Sequence, residues 1–141
     1  MMSLKKKDKE GVWINFAYSG VYLKYLGGSK MDIKFKKVKN CLIVYPTGEI
    51  DHHTSEVLKK EIDRHCESTM SKNIIVDFGN VNFMDSSGIG MIIGRYKYTH
   101  GKGGKTVVTG VSDNLRKIFT LSGLGRIIKI YPTVEDAVEN I

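Results

Sequence analysis

The sequence predicts an α/β fold: a mixed, mostly parallel sheet of four to five strands with about four helices packed on it. Three observations predict it. Short apolar runs alternate with stretches of helical periodicity from residue 41 to the end. Gly, Pro, Asn or Ser bounds each run, as turns require. Strand–helix–strand succession favours parallel pairing with right-handed crossovers, which lays the helices on the sheet.

The elements follow in order. Residues 1–30 differ from the rest. Lys5-Lys6-Lys7-Asp8-Lys9 is a charge run, and Val12 to Leu26 is rich in aromatics. That stretch is about 15 residues, shorter than the roughly 20 a bilayer span needs, and Asn15, Ser19, Gly20 and Lys24 interrupt it. It also lacks the clean apolar core and small-residue cleavage site of a signal peptide. Gly27-Gly28-Ser29-Lys30 reads as a joint. Residues 1–30 are therefore an ordered extra strand or membrane-surface arm, or an N-terminal extension, disordered or non-native, ahead of a domain spanning 31–141. The second division is the one expected.

Ile33 to Val38 alternates as an edge strand does, Lys39-Asn40 turns, and Cys41 to Tyr45 is a buried strand, so the pair forms a hairpin. A helix over Thr54–Cys66 carries Val57, Leu58, Glu61 and Ile62 at helical spacing. Thr54 is its expected N-cap, and Val57 three residues on leaves no capping box. Asn73–Phe78 is a strand, followed by a serine loop and a helix to Tyr98. Thr106–Thr109 is the next strand. Ser112-Asp113 opens a helix with Leu115, Ile118 and Phe119, which Gly123 and Gly125 end. Ile127–Tyr131 is the last strand, and Thr133 caps a final helix.

Composition excludes several functions. The 141 residues suit one domain. Cys41 and Cys66 have no metal-ligand spacing, and His52, His53, His65 and His100 add no zinc pattern, so reduced thiols and no metal are expected. The net charge of +7 suggests nucleic acid, yet +4 of it lies in residues 1–30. The remainder forms no basic stripe with interleaved aromatics, so neither a nucleic-acid nor a membrane partner is expected.

The most informative stretch is Phe83-Met84-Asp85-Ser86-Ser87-Gly88-Ile89-Gly90. It places two serines where a strand hands over to a helix. A helix start has unpaired N–H groups and a partial positive charge. A phosphate on Ser86 or Ser87 would suit that environment and add about −1.5 to −2 charge at neutral pH. It would leave the fold intact but repel a partner docked there. The plainer reading makes one serine an N-cap. Ile89, Ile92, Ile93 and Tyr96 form the apolar face of this helix. Gly88, Gly90 and Gly94 weaken it by about 1 kcal/mol each, so close approach of the sheet or of a partner must justify them.

Enzymatic readings fit poorly. Gly104-Lys105-Thr106 resembles the end of a phosphate-binding loop, but Thr99 stands where that motif needs glycine. Gly88-Ile89-Gly90 would need a third glycine where Ile93 stands. Neither serine has glycine two residues before it, as a hydrolase elbow requires.

Gly48-Glu49-Ile50-Asp51-His52-His53-Thr54, the Asp85-Ser86-Ser87-Gly88 core and Gly94-Arg95-Tyr96-Lys97 together resemble the anti-sigma-factor antagonist family, most nearly its sporulation sigma-F branch. Leu121-Ser122-Gly123-Leu124 fits as well, and the resemblance covers about residues 32–140. It implies a STAS-type fold and a cytoplasmic, non-enzymatic switch without cofactor. The unphosphorylated form would bind an anti-sigma factor that is also an ATP-dependent serine kinase, and so release the sigma factor. Phosphorylation of Ser87 would end binding, and a metal-dependent serine phosphatase would restore it. The expected partner-binding set is Asp51, His52, His53, Asp85, Ser86, Ser87, Gly88, Met91 and Arg95, with no catalytic residue. Asp51 should lie beside the serine loop. The alternative is a small anion- or nucleotide-binding α/β domain.

Overall fold

Ten residues of one strand, Cys41–Ile50, organise the molecule. The structure, a computed structural model, describes residues 5–7, 13–15, 19–26 and 29–141, with side chains from Met31 onward. β1 (Lys5–Lys7) and β2 (Trp13–Asn15) pair antiparallel. β3 (Ser19–Leu26) pairs antiparallel with β4 (Ser29–Val38), adding a strand at the sheet edge. The other positions in the expected 1–30 extension lie outside the described residues.

β4 turns through Lys39-Asn40 into β5 (Cys41–Ile50), as the hairpin signal predicts; Lys39 takes the left-handed conformation there with φ 55°. α1 (His52–Ser68), β6 (Asn73–Asp77), β7 (Asn80–Met84) and α2 (Ser86–Gly101) come next. β8 (Thr106–Thr109), α3 (Asp113–Ser122), a 3-10 turn at Leu124–Arg126, β9 (Ile130–Tyr131) and α4 (Val134–Asn140) complete the chain.

The main sheet has the order β3-β4-β5-β6-β8-β9, and β7 pairs with β5 off that path. Every pairing from β5 onward is parallel. The first half of β5 pairs with β6 (Cys41↔Asn73 to Val44↔Val76) and its end with β7 (Thr47↔Asn80 to Ile50↔Met84). A bulge between Gly48 and Glu49 separates two registers of the second pairing, and Gly48 has the positive φ of 121° that a side chain would resist.

Both faces of the sheet are covered, which explains its unbroken apolar runs. Leu42, Val44, Ile74 and Val76 pack with Leu58, Ile62, Ile92, Leu115 and Phe119 from α1, α2 and α3. Cys41, Ile43, Ile75 and Val107 point the other way, onto Tyr131 and the Ala137 of α4. Cys66 belongs to the first cluster and Cys41 to the second, so the two buried thiols lie on opposite faces of the sheet.

The predicted α/β class holds, with three differences of detail. Among the described residues seven strands join the main sheet rather than four or five, because β7 was not read as a strand and β3 follows the extra-strand reading of residues 1–30 that was not the one expected. β7 was invisible because Val81 is buried while Asn82 and Phe83 are exposed, a pattern without clean alternation. The last strand is only Ile130–Tyr131: the amides of Ile127 and Ile128 bond back to the Leu124 carbonyl, closing a turn.

Candidate functional site

Two helix starts stand side by side because two parallel strands end in register. Ile50 of β5 lies opposite Met84 of β7, and the Asp85 amide donates to the Ile50 carbonyl at 3.1 Å. Asp51 and Asp85 follow, and each is a helix N-cap. The expectation that Asp51 sits beside the serine loop thus has a backbone cause.

The capping chemistry differs from the expected one. Asp51, not Thr54, caps α1, and the two residues form a capping box. The Thr54 amide donates to Asp51 Oδ1 at 2.9 Å, and the Asp51 amide donates to Thr54 Oγ1 at 2.8 Å. The Thr54 hydroxyl donates in turn to the Glu49 carbonyl at 2.8 Å. The Thr54 amide bond is the main cause that holds the Asp51 carboxyl below the usual carboxylate range. The box was overlooked because the cap was expected three residues late, at Thr54, which is instead the N3 position of a helix capped by Asp51.

At α2 neither serine is the cap. Asp85 takes that role, and its Oδ1 accepts from the Ser87 amide at 2.8 Å. The Gly88 amide donates to the Asp85 carbonyl at 3.1 Å. Two first-turn donors are therefore already used, so a phosphate on Ser87 would gain from the helix dipole more than from vacant amides. Both serines are left with free side chains. Ser86 is exposed, Ser87 is half-buried, and neither hydroxyl has a hydrogen-bond partner among the described residues.

Ser87 opens onto a groove of about 270 Å³ between α1 and α2. His52, Ser55, Glu56 and Lys59 form one wall; Ser87, Gly90, Met91, Gly94 and Arg95 form the other. The glycines of α2 divide by role. A Cβ on Gly88 would lie 2.2 Å from Met84 Cγ and 3.0 Å from Ile50 Cγ2, so Gly88 seats the helix on the sheet. A Cβ on Gly90 or Gly94 would meet nothing within 4 Å. Nothing inside the described fold requires those two glycines. They leave bare helix backbone along the groove.

The proposed partner-binding residues are thus not one cluster. His52, Ser87, Met91 and Arg95 line the groove, while Asp51 and Asp85 anchor its mouth as caps. His53 is exposed with its ring edge-on to His52 (centroids 5.7 Å apart) and does not line the groove, nor does Ser86. Gly88 is buried and faces its own sheet. Sequence reasoning missed Ser55, Glu56 and Lys59, and it singled out Gly90 and Gly94 only as glycines that close approach of the sheet or of a partner must justify. The matched spacing of 52, 55, 56 and 59 on one helix with 87, 90, 91, 94 and 95 on the other is the signal that could have found them.

Arg95 is the buried charge of the site. Its side chain is 7% exposed, and its Nε lies 3.0 Å from Oδ1 of Asp63, one turn beyond Lys59 on α1. That contact is coulombic rather than a directed bond: Nε and Nη1 of Arg95 and Oδ1 of Asp63 have no hydrogen-bond partner in suitable geometry. Among the described residues no three His, Cys, Asp or Glu side chains converge as metal ligands would. No helix among them is long and apolar enough to cross a membrane.

The arrangement defines an α/β domain that presents a serine hydroxyl at the head of a glycine-lined groove. The STAS domain profile matches residues 32–137, and the chain belongs to that family. An anti-sigma F factor antagonist of Paenibacillus polymyxa is 34% identical over 111 residues, 79% of this chain and 95% of that protein. The solved structure of the anti-sigma factor antagonist SpoIIAA in its unphosphorylated form superposes with a TM-score of 0.67 at 30% identity, covering 76% of this chain and 93% of its own. The Bacillus cell fate determinant SpoIIAA in its phosphorylated form superposes at 0.60 and 30% identity, over 76% of this chain and 96% of its own.

Proposed function

We propose that this protein is an anti-sigma-factor antagonist, a cytoplasmic sporulation regulator rather than an enzyme, with Ser87 as its phosphorylation switch. The unphosphorylated form binds an anti-sigma factor that is also an ATP-dependent serine kinase, and so releases the sigma factor. Phosphorylation ends that binding, and a metal-dependent serine phosphatase reverses it. Residues 31–141 are the switching domain, and residues 1–30 are an extension to it.

One observation carries the reading. The Ser87 hydroxyl makes no intramolecular hydrogen bond among the described residues and stands at the groove wall, where α2 shows bare backbone at Gly90 and Gly94. A phosphate there places a dianion at the head of the docking surface, beside the Asp85 carboxylate. The existence of solved phosphorylated and unphosphorylated forms of a 30%-identical relative supports the same reading.

The test is incubation with the cognate kinase and ATP, followed by peptide mapping of residues 73–95. Phosphate should appear on Ser87 alone. Ser87→Ala should stay permanently competent to bind, and Ser87→Asp should bind at least about tenfold worse, a loss of only about 1.4 kcal/mol. An Asp variant that binds as well as wild type would refute the repulsion mechanism.

A further inference from the structure

We propose that Arg95 receives a carboxylate from a helix of the docked protein, which lies lengthwise in the α1–α2 groove. This rests on the anti-sigma-factor reading above and adds the chemistry of the contact. Arginine is rarely buried without full pairing, yet the Arg95 side chain is 7% exposed and its one ion-pair partner among the described residues, Asp63, is itself 34% exposed. The guanidinium carries five N–H donors. Two of its nitrogens, Nε and Nη1, have no acceptor in suitable geometry. Burial raises the Asp63 carboxyl pKa despite the opposing Arg95 charge, so Asp63 is an imperfect counterion.

The missing acceptor does not come from the switch itself. Ser87 and Arg95 are eight residues apart on α2, about 12 Å along the axis, and the unmodified Ser87 hydroxyl makes no bond to the guanidinium. The other charges lining the groove are Glu56 and Lys59, both exposed on α1, and they offset each other, while the Asp51 and Asp85 carboxylates stand at its mouth, engaged as helix caps. The unbalanced charge of the groove is therefore the half-satisfied Arg95. A carboxylate fits a guanidinium by two parallel N–H···O bonds. Gly90 and Gly94 let a partner helix approach closely enough to deliver one. Groove length sets the spacing: the acidic residue stands about two helical turns from the partner residue that faces Ser87.

Dissociation constants of the full chain with its cognate anti-sigma factor test this, measured calorimetrically for wild type, Arg95→Met and Arg95→Lys. Arg95→Met should bind at least about thirtyfold worse, the low end for removing one member of a buried charge pair. Arg95→Lys should recover only part of that loss, because a point charge cannot replace the planar fork. On the partner, an alanine scan of Asp and Glu in the docking helix, read against the wild-type chain, should find one position with a loss of similar size. That loss should shrink when combined with Arg95→Lys. The proposal is overturned if folded Arg95→Met binds within threefold of wild type. It is equally overturned if the scan, which needs no variant of this chain to fold, finds no such position. Wild type binding with a Ser87→Asp loss but an indifferent Arg95 sinks the carboxylate contact alone. No binding by wild type sinks the anti-sigma-factor reading with it.

Discussion

Replacing Gly90 and Gly94 by alanine should make the protein more stable and worse at binding. The two positions are interior to α2, where glycine is about 1 kcal/mol less favourable than alanine. No atom lies within 4 Å of the added Cβ at either site, so no clash offsets the gain. The double variant should therefore gain about 2 kcal/mol, each substitution raising Tm by roughly 3–5 °C in a domain of this size. Against a partner helix packed on bare backbone, the same methyl groups act as overpacking, at about 1–3 kcal/mol per site. Affinity should fall at least about tenfold in the double variant, which is about 1.4 kcal/mol. Thermal melts and calorimetric titration of the same samples read both quantities. A stabilised double variant with wild-type affinity refutes the claim that the glycines serve docking. A destabilised one refutes the claim that they face open space.

Two other perturbations check the scaffold. Asp85→Ala removes the cap that holds the Ser87 amide at 2.8 Å; it should lower stability by about 1 kcal/mol in urea titrations and leave the helix start frayed. The imidazole of His65 stacks on Phe35 with centroids 3.8 Å apart, and burial is the main cause that holds its pKa below the ordinary value. Such a group is neutral in the fold and gains its proton first in the unfolded chain. Stability should thus be full above pH about 6.5 and decline as pH falls through that value toward the lower native one. Urea midpoints from pH 8 to 5.5 should show this slope in wild type and lose most of it in His65→Gln; an unchanged slope would assign it to another group.

The sequence revealed most where one signal sufficed. Cys41–Tyr45, Asn73–Phe78 and Thr106–Thr109 are runs whose central residues are buried on both faces, and all three form strands, the second ending one residue early at Asp77. Gly123, with φ 76°, ends α3 as its position suggested. Failures came where two signals competed. Thr54 and the serine pair are good caps by type, but Asp51 and Asp85 precede them and win both helix starts. Ile127-Ile128 has strand composition, but the turn after Gly123 leaves no room to pair them. The groove was illegible because it depends on how α1 lies against α2. Arg95 was singled out as a contact, but its burial ran against everything arginine usually does.

A one-residue slip in β5 beyond its Gly48 bulge would turn Ile50 out of the core and swing both following helix starts out of alignment. The serine-bearing helix start and the scaffold are consequently not separable modules. Mutations that loosen the end of this strand should silence recognition before they unfold the molecule, with no change at the serine itself.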